Sequence, residues 1–175
     1  MTILFYILGA LVLVFVILLI IAPKTYDVSR TVEVSRPLPE VFNYLKLLKN
    51  QDEWSPWSKK DPNMQKEFTG TDGTVGAIYS WKGNKEVGEG EQEITGIEEN
   101  RIIESRLRFF KPWRSESDAY ISVEESGDNK TRVIWGLSGK NKFPVSILMI
   151  FMNMDKMVGK DFEEGLANLK SILEK

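Results

Sequence analysis

"MDKMVGKDFEEGLANLKSIL", residues 154–173, is the longest amphipathic segment of this chain. Its apolar residues recur every three or four positions, which predicts one long helix with a single apolar face. Gly159 and Gly165 interrupt the pattern, and each lowers helix stability by about 1 kcal/mol relative to alanine. A glycine in such a place indicates close approach by another element. The apolar stripe consists of Met154, Met157, Val158, Phe162, Leu166, Leu169, Ile172 and Leu173.

Upstream of this segment, between residues 64 and 140, apolar and polar residues alternate. Period-two alternation predicts β-strands with one buried face, and the tripeptide GDN at 127–129 predicts a hairpin turn. A further strand is expected at residues 26–35, followed by a helical stretch at 36–50 with prolines at its start. The alternation places on one inward face Tyr79, Trp81, Gln92, Ile94, Ser105, Phe109, Ser117, Thr131, Trp135 and Leu137.

This order of elements predicts an α+β fold, in which a curved antiparallel sheet wraps around the C-terminal helix. An amphipathic sheet needs its apolar face covered. Residues 154–173 form the only long helix available to cover it. Because a strongly curved sheet around one helix leaves a space between the two, we expect the binding site in that space.

Residues 3–22 contain no charged side chain. About 20 helical residues, each rising about 1.5 Å, cross a hydrocarbon core of about 30 Å. A cleaved signal peptide is the alternative, but the run is too long, no basic residue precedes it and no small-x-small cleavage site follows. We therefore predict a single-pass membrane protein, with an anchor at residues 1–23 and a domain at residues 24–175. Tyr6 and Tyr26 are placed to suit the two membrane interfaces.

The charged residues bear on location, partners and chemistry. Lys24, Arg30 and Arg36 follow the apolar run, so the positive-inside rule favours a cytoplasmic domain over an external one. The 23 Lys and Arg residues nearly balance the 25 Asp and Glu residues, and without a long basic run we expect no nucleic-acid partner. The chain has no histidine and no cysteine, which excludes disulfides, thiolate nucleophiles, a histidine general base and the usual zinc sites. We expect no metal and no cofactor.

Five stretches carry a resemblance to a known family: VEVSRPLPEVFNYL, WSPWSKKDP, GTDGTVGAIYSW, TRVIWGLSG and MDKMVGKDFEEGLANLKSIL. Together they resemble the SRPBCC or START-like superfamily, which has the helix-grip fold. More narrowly, the chain is similar to polyketide cyclase-like bacterial proteins that carry one N-terminal membrane anchor. The resemblance implies a fold and a cavity. It implies no particular reaction, because this superfamily includes carriers, cyclases and co-chaperones and a fold does not fix a function.

The residues that we expect to line the cavity share inward positions on the strands, the C-terminal helix or the segment WSPWSKKDP. Trp54 and Trp57 would form the wall at the wide end of the groove, and the alternative is that both rings plug the core. Asp161 would be an acid or a ligand anchor, and the alternative is an ion pair with a nearby lysine or arginine. The expected lining is Trp54, Trp57, Tyr79, Trp81, Gln92, Phe109, Ser117, Trp135, Met154, Met157 and Asp161.

Three functions fit this sequence. We expect a binding module rather than an enzyme, holding a hydrophobic small molecule such as a lipid, isoprenoid or polyketide-like compound. The second is a cyclase or hydrolase that uses Asp161, Tyr79 or water in the same cavity. The third is a co-chaperone-like protein-binding domain, which a filled interior would favour. The apolar segment FPVSILMIFM, residues 143–152, is too short to span a membrane, so it packs as a helix, lines the cavity mouth or touches the bilayer.

Overall fold

A computed structural model describes residues 2–175 of the chain. Seven strands and the helices around them follow the order expected from the sequence. The strands are β1 (Thr25–Val34), β2 (Gln65–Thr69), β3 (Ile78–Lys82), β4 (Glu89–Glu98), β5 (Ile102–Lys111), β6 (Ser115–Glu125) and β7 (Thr131–Lys140). The helices are α1 (Thr2–Ile21), α2 (Leu38–Leu45), a 3₁₀ turn (Leu48–Asn50), α3 (Gln51–Trp54), α4 (Pro56–Lys60), α5 (Val145–Leu148) and α6 (Met154–Leu173).

All seven strands form one antiparallel sheet in the order β1-β7-β6-β5-β4-β3-β2. Consecutive strands from β2 to β7 are neighbours, as short hairpin connections require, and β1 pairs with β7 at the far edge. Register shifts at Glu89/Gly90 and Ile94/Gly96 interrupt β4, and such bulges bend a strand. The predicted α+β class, with a curved antiparallel sheet and a long C-terminal helix, is confirmed.

Helix α6 packs on the inner face of the sheet, and its two interior glycines allow the close approach that the sequence indicated. A methyl group added at Gly165 would lie 2.7 Å from Cζ3 of Trp135 in β7. One added at Gly159 would collide with the guanidinium of Arg30 in β1. Arg30 in turn pairs with Asp155 at 2.7 Å and with Glu163 at 2.6 Å, and both carboxylates belong to α6. The start of the helix is therefore fixed to the edge strand.

The segment between β1 and β2 covers a further part of the inner face. Val41, Phe42 and Leu45 of α2 are buried, which matches the helical spacing of the sequence. Two short helices, α3 and α4, carry the two tryptophans of the WSPW segment. The Nδ2 amide of Asn168 in α6 donates a hydrogen bond to the carbonyl of Trp54 at 3.1 Å, so this segment is joined directly to the long helix.

Helix α1 is the one helix, among residues 2–175, that is long and apolar enough to cross a membrane. Almost all of its side chains are exposed. Only Ala22, Pro23 and Lys24 separate it from β1. Near its C-terminal end, the ring of Phe15 contacts the ring of Phe143 edge-to-face, with centroids 6.4 Å apart.

Candidate functional site

The inner face of the sheet is packed at one end and accessible at the other. At the end where β1 finishes, the closed end, Val34, Ile94 and Val133 are 0% exposed and Ile103 is 3% exposed. At the end where β1 begins, the open end, four inward-facing side chains are only half-buried, namely Trp81, Gln92, Leu107 and Phe109. The sheet therefore leaves an apolar surface with one amide group uncovered at the open end.

Between the two ends, four aromatic rings fill the space under α6. Trp135 of β7 stacks on Phe162 of α6 with a centroid distance of 4.3 Å, and it contacts Trp54 at 4.7 Å and Trp57 at 5.6 Å. Trp54 is 1% exposed, whereas Trp57 is half-buried. Trp54 thus belongs to the core, and Trp57 stands at the boundary between the core and the open end.

A second row of aromatic rings crosses the sheet from its β2 edge. Phe68, Tyr79, Trp81 and Phe109 follow one another with centroid distances of 4.8, 6.1 and 5.8 Å. The ring of Trp81 lies against Gly90 of the next strand, where an added methyl group would be 2.7 Å from Cζ2. Glycine at that position lets the indole lie flat, so it forms part of the floor of the open end.

The Tyr79 hydroxyl is hydrogen-bonded to a carboxylate. It donates to Oδ1 of Asp52 at 3.0 Å, and the same carboxylate accepts from Ser58 at 2.9 Å and pairs with Lys66 at 2.9 Å. Burial, the negative charge of Asp52 and this hydrogen bond raise the pKa of Tyr79 well above its usual range. Tyr79 is therefore held as a neutral phenol whose proton points at Asp52, which does not suit a general base.

Asp161 is ion-paired. Both of its carboxylate oxygens lie 2.8 Å from Nζ of Lys60, and the Lys60 ammonium lies 5.8 Å from the centroid of the Trp57 ring. The Asp161 side chain is 19% exposed. This arrangement corresponds to the alternative considered from sequence, an ion pair with a nearby lysine, and it joins α4 to α6 beside the open end.

Polar groups on the floor of the open end occur in hydrogen-bonded pairs. The hydroxyls of Tyr26 and Ser117 are 2.6 Å apart, and Nε2 of Gln92 donates to Oγ of Ser105 at 3.3 Å. The Tyr26 ring lies across Gly139 of β7, where any side chain would collide with it. The sequence predicts a membrane-interface position for Tyr26 and does not predict this role. The signal was available, because Tyr26 is in phase with the inward-facing Val28.

An open cleft of about 370 Å³ adjoins the open end at the edge strand. Its walls are the start of β1 on one side and residues 149–155 on the other, with Asn141 between them. Tyr26 and Met154 line this side cleft. The hydroxyl of Tyr26 also reaches Ser117, so the same tyrosine borders the side cleft and the floor of the open end.

The eleven residues expected to line a cavity therefore fall into distinct places. Trp54, Trp57 and Trp135 meet in one cluster, with Phe162 of the apolar stripe as a fourth member that was not among the expected lining residues. Tyr79, Trp81 and Phe109 form the second row, Gln92 and Ser117 lie on the floor beside it, and Asp161 is paired with Lys60. Met154 borders the side cleft, whereas Met157 is 49% exposed and lies outside the buried part of the stripe. Among residues 2–175, no group of three or more acidic side chains is arranged to hold a metal ion.

Solved structures of other proteins share this fold. Norcoclaurine synthase from Thalictrum flavum, in complex with dopamine and hydroxybenzaldehyde, aligns with a TM-score of 0.60 at 12% identity, over 87% of this chain and 88% of that chain. A solution structure from Thermobifida fusca aligns with a TM-score of 0.61 at 18% identity, over 84% and 92%. The Aha1 dimer from Colwellia psychrerythraea aligns with a TM-score of 0.52 at 16% identity, over 85% and 96%. At these identities the likeness shows the fold alone.

A comparison with curated proteins found no match. The family comparison matched nearly all of the chain after α1, which confirms the resemblance noted in the sequence. Residues 25–174 match the family described as polyketide cyclase / dehydrase and lipid transport, and the chain belongs to that family.

Proposed function

We propose that this protein is a membrane-anchored binding module, which holds a hydrophobic small molecule at the open end of its sheet. The observation that carries the proposal is the half-buried inner face at that end, where Trp81, Leu107 and Phe109 remain accessible. Burial of apolar surface stabilises a complex by about 25 cal/mol per Å². A ligand that covered these side chains would complete the burial that α6 provides at the closed end.

Few polar groups lie on this floor, which favours an apolar ligand with one or two oxygen atoms. The paired hydroxyls of Tyr26 and Ser117 and the amide of Gln92 are available to orient such an atom. Lipids, isoprenoids and polyketide-like compounds have this chemistry. The family description, which includes lipid transport, and the norcoclaurine synthase complex with dopamine and hydroxybenzaldehyde support a small-molecule ligand in this fold.

The contacts of Tyr79 and Asp161, the two residues that the enzyme hypothesis would use, favour binding without catalysis. The Tyr79 proton is directed at Asp52, and the Asp161 carboxylate is bound to Lys60. Neither group is directed at the accessible part of the floor. We therefore propose a carrier or sensor, with α1 as the anchor and residues 24–175 as the binding domain. The basic residues that follow α1 favour the cytoplasmic side.

Native mass spectrometry tests this proposal. Residues 24–175 would be purified without detergent, checked for a cooperative melt and compared with an organic extract of the same sample. We expect a co-purifying apolar adduct that an added fatty acid displaces. An apo mass, with no thermal shift across a panel of lipids and polyketides, would contradict the proposal and direct attention to protein partners.

A matched pair of variants locates the ligand. Leu107→Trp puts a larger side chain into the open end, so it should abolish the adduct. Arg106→Trp makes the same new residue one position earlier on β5. Its side chain is on the opposite face of the sheet, 47% exposed, so this variant should keep the adduct. Equal adduct in both variants would place the ligand elsewhere.

A further inference from the structure

The segment that follows β7 exposes an apolar patch beside α1. Its members come from residues 143–152, a run without a charged side chain. They are Phe143, Val145, Leu148, Phe151 and Met152, which are 63%, 45%, 58%, 78% and 42% exposed. Exposed apolar patches of this kind mark interaction sites for a protein or a membrane.

This apolar patch lies beside the end of α1, and the residues next to the two are hydrogen-bonded to each other. The backbone N–H of Asn141 donates to the carbonyl of Lys24 at 2.9 Å, and its side-chain amide donates to the carbonyl of Pro23 at 3.1 Å. Phe143 contacts Phe15, which lies six residues before the end of α1. At about 1.5 Å per residue, that contact is about 9 Å from the end of the helix. This distance falls within the depth of about 5–10 Å to which interfacial helices bury their apolar face.

Positive charge borders the apolar patch, as the headgroups of a bilayer with anionic lipids would require. Lys140 and Lys142 precede it directly, and Lys24 follows α1. The turn between β5 and β6 lies at the same end of the sheet, because Phe109 pairs with Ser115 there and Thr25 with Lys140. This turn carries Trp113, which is 77% exposed, and tryptophan is enriched at membrane interfaces.

We infer that the apolar patch inserts into the interface of the bilayer that α1 crosses, and that the side cleft consequently opens onto lipid. The patch and the side cleft share Phe151 and Met152, so insertion of one brings the mouth of the other to the level of the headgroups. Tyr26 then continues the path from the side cleft to Ser117 and the floor of the open end. The inference rests on the proposed anchor and assigns the bilayer as the source of the ligand.

Single-cysteine labelling of the full chain tests this inference, since the chain has no cysteine of its own. The protein would be reconstituted into vesicles of phosphatidylcholine and phosphatidylglycerol, with an NBD fluorophore at one site. Phe151→Cys reports on the patch and Met154→Cys, which lines the side cleft, on the cleft. Ile20→Cys in α1 is the positive control. Asp128→Cys, exposed in the turn at the opposite end of the sheet, is the negative control.

We expect blue-shifted emission and strong quenching by doxyl-labelled phospholipid at positions 20, 151 and 154, with quenching by iodide only at 128. Quenching by doxyl lipid at 20 without quenching at 151 overturns the insertion while the anchor holds. Absence of quenching by doxyl lipid at position 20 would instead contradict the proposal that α1 crosses the bilayer. Protection of position 151 from both quenchers means that a protein surface covers the patch, which also overturns the inference. Quenching at 151 but not at 154 overturns lipid access to the side cleft.

Discussion

Replacing Gly165 by alanine tests whether the space under α6 is filled. The new methyl group would lie 2.7 Å from Cζ3 of Trp135 and 3.2 Å from Cδ of Pro56. Trp135 is 5% exposed and is held between Phe162 at 4.3 Å and Trp54 at 4.7 Å, so the ring has little room to move. Overpacking of this kind costs about 1–3 kcal/mol. Alanine recovers about 1 kcal/mol of helix propensity.

Because the contact is short and its partner is rigid, the upper part of that range applies. We expect Gly165→Ala to lower the free energy of unfolding by about 1–2 kcal/mol. In a domain of this size, that corresponds to a fall of about 2–8 °C in Tm. The assay is thermal unfolding of the full chain in detergent, followed by near-ultraviolet circular dichroism, which reports on the packed tryptophans.

Gly159→Ala is the matched control. It makes the same change in the same helix, but its new methyl group meets the guanidinium of Arg30, a flexible side chain that is 26% exposed. Arg30 can move aside at the loss of part-exposed ion pairs worth less than about 1 kcal/mol each, and the gain in helix propensity offsets that loss. If Gly165→Ala is as stable as Gly159→Ala or the wild type, an empty space near Trp135 absorbs the methyl group and the packed aromatic cluster is refuted.

Three further predictions concern charged and polar groups. Tyr79→Phe should lower the free energy of unfolding by about 0.5–1.5 kcal/mol at neutral pH, because the hydrogen bond to Asp52 is lost. The fold raises the pKa of Tyr79, so the stabilisation by its neutral hydroxyl is complete below the ordinary pKa of about 10 and is lost as the pH rises further. In denaturant titrations at increasing alkaline pH, the variant should therefore lose less stability than the wild type. Asp161→Asn should cost less than about 1 kcal/mol and leave the adduct in native mass spectra unchanged, whereas loss of a turnover in this variant would favour the enzyme hypothesis. Arg30→Gln should raise the pKa of Asp155 back toward its ordinary value in carboxyl NMR titrations, because the hydrogen bond from Arg30 lowers it; an unchanged pKa would contradict the contact between β1 and α6.

Local patterns in the sequence predict the fold because they record which face of each element is buried. Alternation along β5 correctly assigns Ser105 and Phe109 to the inner face, and the two glycines of α6 correctly indicate close packing. The partner of Asp161 could not be predicted, since Lys60 is 101 residues away in the chain. The side cleft has no local signal either, because it depends on residues 149–155 meeting the start of β1.

The aromatic cluster divides the inner face into two parts with different consequences. Trp54, Trp135 and Phe162 are at most 5% exposed, so a ligand at the open end would reach none of these three rings. Of the four members of the cluster, it would contact only Trp57. Trp57 belongs to α4, which is fixed to α6 by Lys60 and Asp161 and to the turn after β3 by a hydrogen bond from the Asn84 N–H to Asp61 at 2.6 Å. A ligand that needs more room can gain it by breaking these part-exposed polar contacts, which are weak. A variant that removes the first of these contacts, such as Lys60→Met, should therefore bind larger ligands, which native mass spectra would show as heavier adducts. The near-ultraviolet circular dichroism of its tryptophans should be unchanged, because the core is retained.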